Sequence, residues 1–431
     1  MRVTTRLVVA AMLGAWGCRG GASLDVETDS QGDTQTESTS TGTDSEGTPG
    51  TGPAICEPGC QPALRASWTH DGEVGDRMAT GLVRGSDGSL TVGVGRAAGG
   101  LRVVQLSADG ELRWSVAPQL PCSACELTDL VALPSGDLLL SVTEPQLIRE
   151  PAAIVARLDA EGTSLSWTRR FVLGVGSQVV SRAGAMAVLG DDRIAVLQIE
   201  GFSDNELLLL RELSAEGTTE QRRNVQVQAG TLPTLPLLAV ASPLGDLVLS
   251  YPYWNGEEDP DNPRLEALTT RHLPPSYERI SRIVLPLPLD ELAIDSRGRR
   301  VELSRSADEQ STTLLLTSRS AADLEGWSSS LPLVTTSSTR AALATGPGDE
   351  VYVAARTTPR AAGNDFFVVE LAVARWSPQG QLQWQAALPL DMLATDDPLE
   401  LVVDEDHGLV VATVVEARLK VVRFEQACAC E

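Results

Sequence analysis

Histidine is almost missing from this chain: 431 residues contain three, His70, His272 and His407, and aromatic residues make up only 4%. A multi-histidine metal centre or a Ser-His-Asp relay would have to be built on one of these three. None of them lies in a recognisable nucleophile or metal-ligand motif. Basic residues are also short, 34 Lys plus Arg against 58 Asp plus Glu, and the formal charge of -24 repels phosphate backbones, so the sequence argues against nucleic-acid binding. The apolar run at residues 7–13 is too short to span a bilayer.

That short run nevertheless sits in an informative place. Arg2 and Arg6 precede it and the small-residue stretch 14–18 follows it, the three parts of an export signal. Gly17 followed by Cys18 resembles a lipobox, although Ala15 and Trp16 stand where that pattern prefers Leu and a small residue. The resemblance implies a signal peptide over 1–17, cleavage before Cys18 and a lipid on that cysteine. The alternative is an ordinary secretory signal cleaved nearby. Residues 20–53 are almost wholly Gly, Ser, Thr, Asp, Glu, Gln and Pro, with too little apolar surface to fold. The segment 18–55 is expected to be a tether with a reach of about 30 Å, and the chain an exported lipoprotein of a bacterial cell envelope, at the outer membrane.

From residue 56 to 431 one pattern keeps returning: an apolar strand, a tight turn with Gly or Asp, a second strand rich in Val and Leu, and a third strand. The hairpin occurs seven times, turning at Asp87-Gly88, Gly136-Asp137, Asp191-Asp192, Gly245-Asp246, Arg297-Gly298, Gly348-Asp349 and His407-Gly408. Several copies continue into a Gly-containing turn and a fourth strand marked by Trp, as at Asp109-Gly110 with Trp114, Glu161-Gly162 with Trp167, and Gln379-Gly380 with Trp384. The third keeps Glu216-Gly217 without a Trp; the fourth and fifth are degenerate, with Pro274-Pro275 in place of a turn and only Trp327 surviving. Recurrent Trp at one strand position fits blade packing better than ligand stacking. The last copy lacks a fourth strand, while residues 64–68, ending in Trp68, read as an orphan one. These residues resemble quinoprotein-dehydrogenase-like and WD40-like propellers, particularly the repeat lipoproteins of myxobacteria, over about residues 65–426. The expected fold is all-β, a single propeller of seven four-stranded blades, with the orphan strand closing the last.

If Cys18 carries lipid, six cysteines remain: Cys56, Cys60, Cys122, Cys125, Cys428 and Cys430. Export favours disulfides. Cys122-Ser123-Ala124-Cys125 has redox-motif spacing but lies between strands rather than at a helix N-terminus, so a local staple is expected; a zinc cluster with Cys56 and Cys60 lacks the usual close spacing. Strand closure would bring Cys56 and Cys60 near Cys428 and Cys430, and bonds across that seam compete with a local Cys56-Cys60 pair. Asp404 and Asp406 flank the seventh turn and offer carboxylates to Ca²⁺, but without a full calcium-loop spacing; that turn, with His407, is expected to be solvated. Residues 257–262 read as a charged, Pro-broken loop. Tyr251, Tyr253 and Trp254 fall outside the Trp pattern and form the candidate aromatic surface for a partner, set against a packed strand end. With no catalytic motif and no cofactor to nominate, a non-catalytic binding or scaffolding role for an envelope protein or polymer is favoured over a propeller enzyme, whether quinone-dependent dehydrogenase, hydrolase or lyase.

Overall fold

The computed structural model describes residues 60–96, 99–122, 124–145, 151–172, 179–202, 205–229, 237–254, 265–274, 276–285, 287, 289–307, 312–333, 341–357, 369–390 and 399–430. They form seven four-stranded antiparallel sheets. In six blades the strands follow one another along the chain, over residues 76–116, 126–171, 179–229, 238–285, 289–333 and 341–390. The seventh joins Glu400–Val403, Leu409–Val415 and Arg418–Cys430 to an outer strand from the other end of the chain, Cys60–Val74. Innermost strands of successive blades touch, and Glu400–Val403 touches Asp76–Arg84 to complete the ring. The fold is a seven-bladed β-propeller.

Local sequence explains each blade. The first turn needs a residue with positive φ at its fourth place, and that place holds Gly88, Gly136, Asp192, Gly245, Gly298, Asp349 and His407 in blades 1 to 7. Glycine takes this conformation without steric cost, and Asp and His are among the side chains that tolerate it. Second strands such as Leu90–Arg96 and Leu138–Glu144 are buried on both faces, because each lies between two neighbouring blades. They are therefore rich in Leu and Val instead of strictly alternating apolar and polar residues. Outer strands such as Glu325–Leu333 alternate exposed and covered residues.

The blades are joined by a repeated Trp lock. The Trp68 indole N–H donates to the Ala108 carbonyl of blade 1 (3.1 Å), Trp167 of blade 2 to Ala215 of blade 3 (2.9 Å), and Trp327 of blade 5 to Pro378 of blade 6 (3.2 Å). Two residues beyond each acceptor is a glycine with positive φ, Gly110, Gly217 or Gly380, lying under the indole ring. Trp114 covers Gly162 in the same way, and a Cβ there would stand 2.7 Å from its ring. Sequence reading placed these tryptophans in interblade gaps, and the geometry adds the reason for the turn glycines. Trp68 makes this lock from the ring-closing strand, which runs from residue 60 to 74 and is longer than the 64–68 segment read from sequence.

Candidate binding site

In blades 1 to 6 antiparallel order puts the first-to-second and third-to-fourth strand turns on one face of the ring and the remaining connections on the other; blade 7 has its first turn on that same face and the two-residue turn 416–417 on the opposite one. On the tight-turn face the inner strands end in small apolar side chains: Val83, Ala132, Val188, Val240, Ala293, Ala344 and Val402, one from each blade. They surround the mouth of a cavity of about 1270 Å³. The cavity runs outward as a groove between blades 1 and 2, past Thr91, Gln105 and Leu138 to Trp114 and Ala160, with Asp87, Arg113 and Glu161 at its rim. Arg113 is paired with Asp87. Hydrogen bonds from Ser89 and Arg113 hold the Asp87 carboxyl far below the usual carboxylate range, so this rim pair stays charged.

One side-chain position sets the seam between blades 1 and 2 apart from those that follow blades 2, 4 and 6. On the third strand, the residue paired with the second residue of strand two is Arg157 in blade 2, Arg271 in blade 4 and Arg375 in blade 6. Each meets an acid at the end of its own first turn: Asp137 (2.6 Å), Asp246 (3.2 Å) and Glu350 (2.8 Å). Arg157 also bridges to the next blade at the Ala215 carbonyl (2.9 Å), and Arg271 does so at the Ala321 carbonyl. Blade 3 carries the pair reversed, Arg193 on the turn and Glu212 on the strand, at 2.7 Å. In blade 1 the same position is Gln105, which donates to Thr91 of its own sheet at 3.3 Å. A short amide that stays home leaves the seam to blade 2 unbridged from that position. The groove occupies the opening.

The residues singled out from sequence fall as follows. Cys122 and Cys125 form a disulfide between blades 1 and 2, with Cα atoms 5.8 Å apart, the local staple expected. Cys18, Cys56 and residues 257–262 lie outside the described residues, while Cys60, Cys428 and Cys430 are placed in strands. Tyr251 is 2% exposed and packs with Leu249 and Leu268, so it is withdrawn from the candidate partner surface. Its strand, Leu247–Trp254, is the second of blade 4 and includes Tyr253 and Trp254. Asp404 accepts from the backbone N–H of Asp406 (2.9 Å) and Gly408 (2.6 Å) and from Arg423 (2.7 Å), so its oxygens serve its own turn. Asp406 is exposed.

The histidines are structural in their contacts. His272 is buried, 2.9 Å from the Thr270 hydroxyl and 3.2 Å from the Tyr277 carbonyl, and burial lowers its pKa. Burial also lowers that of His70. The expectation of a solvated seventh turn holds for Glu405 and Asp406 but needs correction at His407. Its side chain is only 12% exposed and turns inward, 3.5 Å from the Tyr352 hydroxyl and 3.8 Å from Glu350. Burial pushes that hydroxyl up to about 12. Sequence reading missed Gln105 and the Arg–acid pairs; a comparison of the repeats at that one strand position would have found them.

No family model matches the sequence, and no curated protein matches it. The chain is similar to a polysaccharide lyase, Uly1 (7% identity, 81% of this chain and 90% of that one, TM-score 0.49), and to the WD40 domain of a Toxoplasma gondii coronin (10%, 85% and 86%, 0.49). The WD40 domain of SCAP from fission yeast is 8% identical over 84% of this chain and 98% of its own, with a TM-score of 0.40.

Proposed function

We propose that this chain is a non-catalytic binding propeller of a bacterial cell envelope, tethered through a lipid on Cys18, and that its blade 1–2 groove holds an extended segment of an envelope protein. The observation that carries this reading is the seam left open at Gln105. The apolar mouth suits an aliphatic side chain, and Thr91, Gln105, Asp87 and Arg113 offer donors and acceptors along the groove. The net charge of -24 favours a segment with basic residues. Side chains that catalysis would call on are engaged in the frame: His272 in blade 4, Asp404 in its turn, Cys122 and Cys125 in their disulfide.

The test places a photo-crosslinking amino acid at Glu161 in intact cells, with the same group at the exposed Leu382 of blade 6 as control. A specific protein adduct at Glu161 is expected, reduced about tenfold by Gln105→Arg, which restores the arginine that blades 2, 4 and 6 carry. Equal adducts at both positions, or an adduct indifferent to Gln105→Arg, would remove the groove from the reading. Reproducible turnover in a substrate screen with metals, quinones and polysaccharides present would replace binding with catalysis.

A further inference from the structure

We infer that a disulfide between Cys60 and Cys430 closes the propeller ring covalently. The strand Cys60–Val74 runs antiparallel to Arg418–Cys430, with Val74 opposite Arg418 at one end of the ladder and Cys60 opposite Cys430 at the other. Directly opposed residues of an antiparallel pair have Cα atoms roughly 4.5–5.5 Å apart. Disulfides span roughly 4.4–6.8 Å between Cα atoms, so this rung meets the requirement without backbone movement. The register also decides among the cysteines at the seam. Cys428 stands opposite Pro62, so no cysteine faces it across the ladder.

The position has a mechanical meaning that holds whatever the groove binds. Cys60 and Cys430 form the last rung, where a paired strand frays first, and the two residues are far apart in sequence, so hydrogen bonds alone would otherwise close the ring there. Any pull arriving through residues before Cys60 loads this rung before the rest. A covalent bond at that point prevents the outer strand from peeling. It also limits the unfolded chain to a closed loop, which favours the folded ring. Formation follows thiol–disulfide exchange: one cysteine thiolate attacks the disulfide of a donor protein in an oxidising compartment, and the second displaces it from the mixed disulfide. Two thiols lose two protons and two electrons, one S–S bond forms, and the donor leaves as its dithiol.

Tryptic mapping without reductant, after blocking free thiols on the exported full chain, tests the assignment. The peptide 20–65 holds Cys56 and Cys60, and the peptide 424–431 holds Cys428 and Cys430. In a C56S/C428S variant these two peptides are expected to stay joined, because only Cys60 and Cys430 remain to join them. Reduction, or C60S/C430S, is expected to lower the melting temperature by roughly 5–10 °C. Alkylated Cys60 and Cys430 in the folded C56S/C428S protein would overturn the proposal. If that variant fails to accumulate, fragmentation between Cys56 and Cys60 in the linked peptide of the unsubstituted chain gives the same answer: a bond at Cys60 supports the assignment, and a bond only within either peptide defeats it.

Discussion

Blade 5 meets its two neighbours through unlike surfaces. Toward blade 6 it presents part of a large apolar cluster, including Leu303, Leu316 and Leu333 packed with Val353 and the fully buried Trp376, and it adds the Trp327 lock over Gly380. Toward blade 4 the buried apolar cluster among the described residues shrinks to Ala267, Leu285 and Leu289. Charges fill that seam instead. Arg300, with no exposed surface, lies 2.9 Å from Asp323 and 2.8 Å from Glu302; Arg319 reaches the other Glu302 oxygen at 3.0 Å, and Arg271 lies 3.2 Å from Asp246. Blade 4 has no tryptophan on its outer strand, Glu278–Leu285. The Arg271 guanidinium donates to the Ala321 carbonyl, the turn position that takes an indole N–H at the Trp-locked seams. One carbonyl in the repeat is thus met by an indole and an arginine together at Ala215 and Pro378, and by the arginine without an indole at Ala321. The difference teaches that the propeller frame fixes where a seam must be bonded, not the chemistry that bonds it.

That difference can be probed in graded steps. The largest loss is expected from Arg300→Ala, which leaves Glu302 and Asp323 buried with less compensation and should cost about 4 kcal/mol in denaturant melts. Trp327→Ala removes ring packing and the Pro378 bond, and should cost about 3 kcal/mol. Gly380→Ala forces a Cβ toward the Trp327 ring at a positive φ, with an expected cost of about 2 kcal/mol. The reversed pair of blade 3 offers a charge swap: Arg193→Glu and Glu212→Arg should each cost about 2 kcal/mol, and the double variant should recover more than half of the summed loss. If it recovers nothing, the blade 3 pair is not the mirror image of the other three.

The smallest effect concerns Asp129, on the inner strand of blade 2, which joins that strand to blade 3 by accepting the Met186 N–H at 2.6 Å. Burial raises its pKa from 3.8 to about 6, against hydrogen bonds from Met186 and Leu130 that lower it. Between those two values the folded chain keeps a proton that the unfolded chain has released. Stability from this group therefore falls as pH rises from about 4 to 6 and is constant above that window. The residue keeps an edge open to solvent, so the loss should stay under about 2 kcal/mol. Asp129→Asn should flatten it in melts taken across that range.

How much could be read in advance follows from the range of the interactions. All seven first turns stand where Gly, Asp or His marks them, and the apolar second strands follow each turn, because both signals are local. The orphan strand was legible for a different reason: Trp68 carries the outer-strand mark, and the last repeat lacked one. In blade 4 the turn closes with Tyr277 N–H on the Leu273 carbonyl and a positive φ at Tyr277, a solution with no repeat signature. For Tyr251 the packed strand end, set against a partner surface in the sequence, is the reading that holds; His407 was misplaced because exposure was judged from neighbours in sequence, while its surroundings come from another blade. The Arg–acid pairs were invisible for the same reason: Asp137 and Arg157 stand on different strands, and the connection between those strands varies in length from blade to blade. Gln105 gains meaning only by contrast with arginines more than fifty residues away.

Ring closure by residues 60–74 is the feature on which both the four-stranded seventh blade and the Trp68 lock depend. Thermal melting of two truncations under reducing conditions tests it directly. A chain beginning at residue 60 should melt within about 2 °C of the full chain, whereas one beginning at residue 75 loses the outer strand of blade 7 together with the Trp68 lock and should melt at least about 10 °C lower or fail to fold. Equal melting temperatures for the two truncations would contradict closure of the ring by the N-terminal strand.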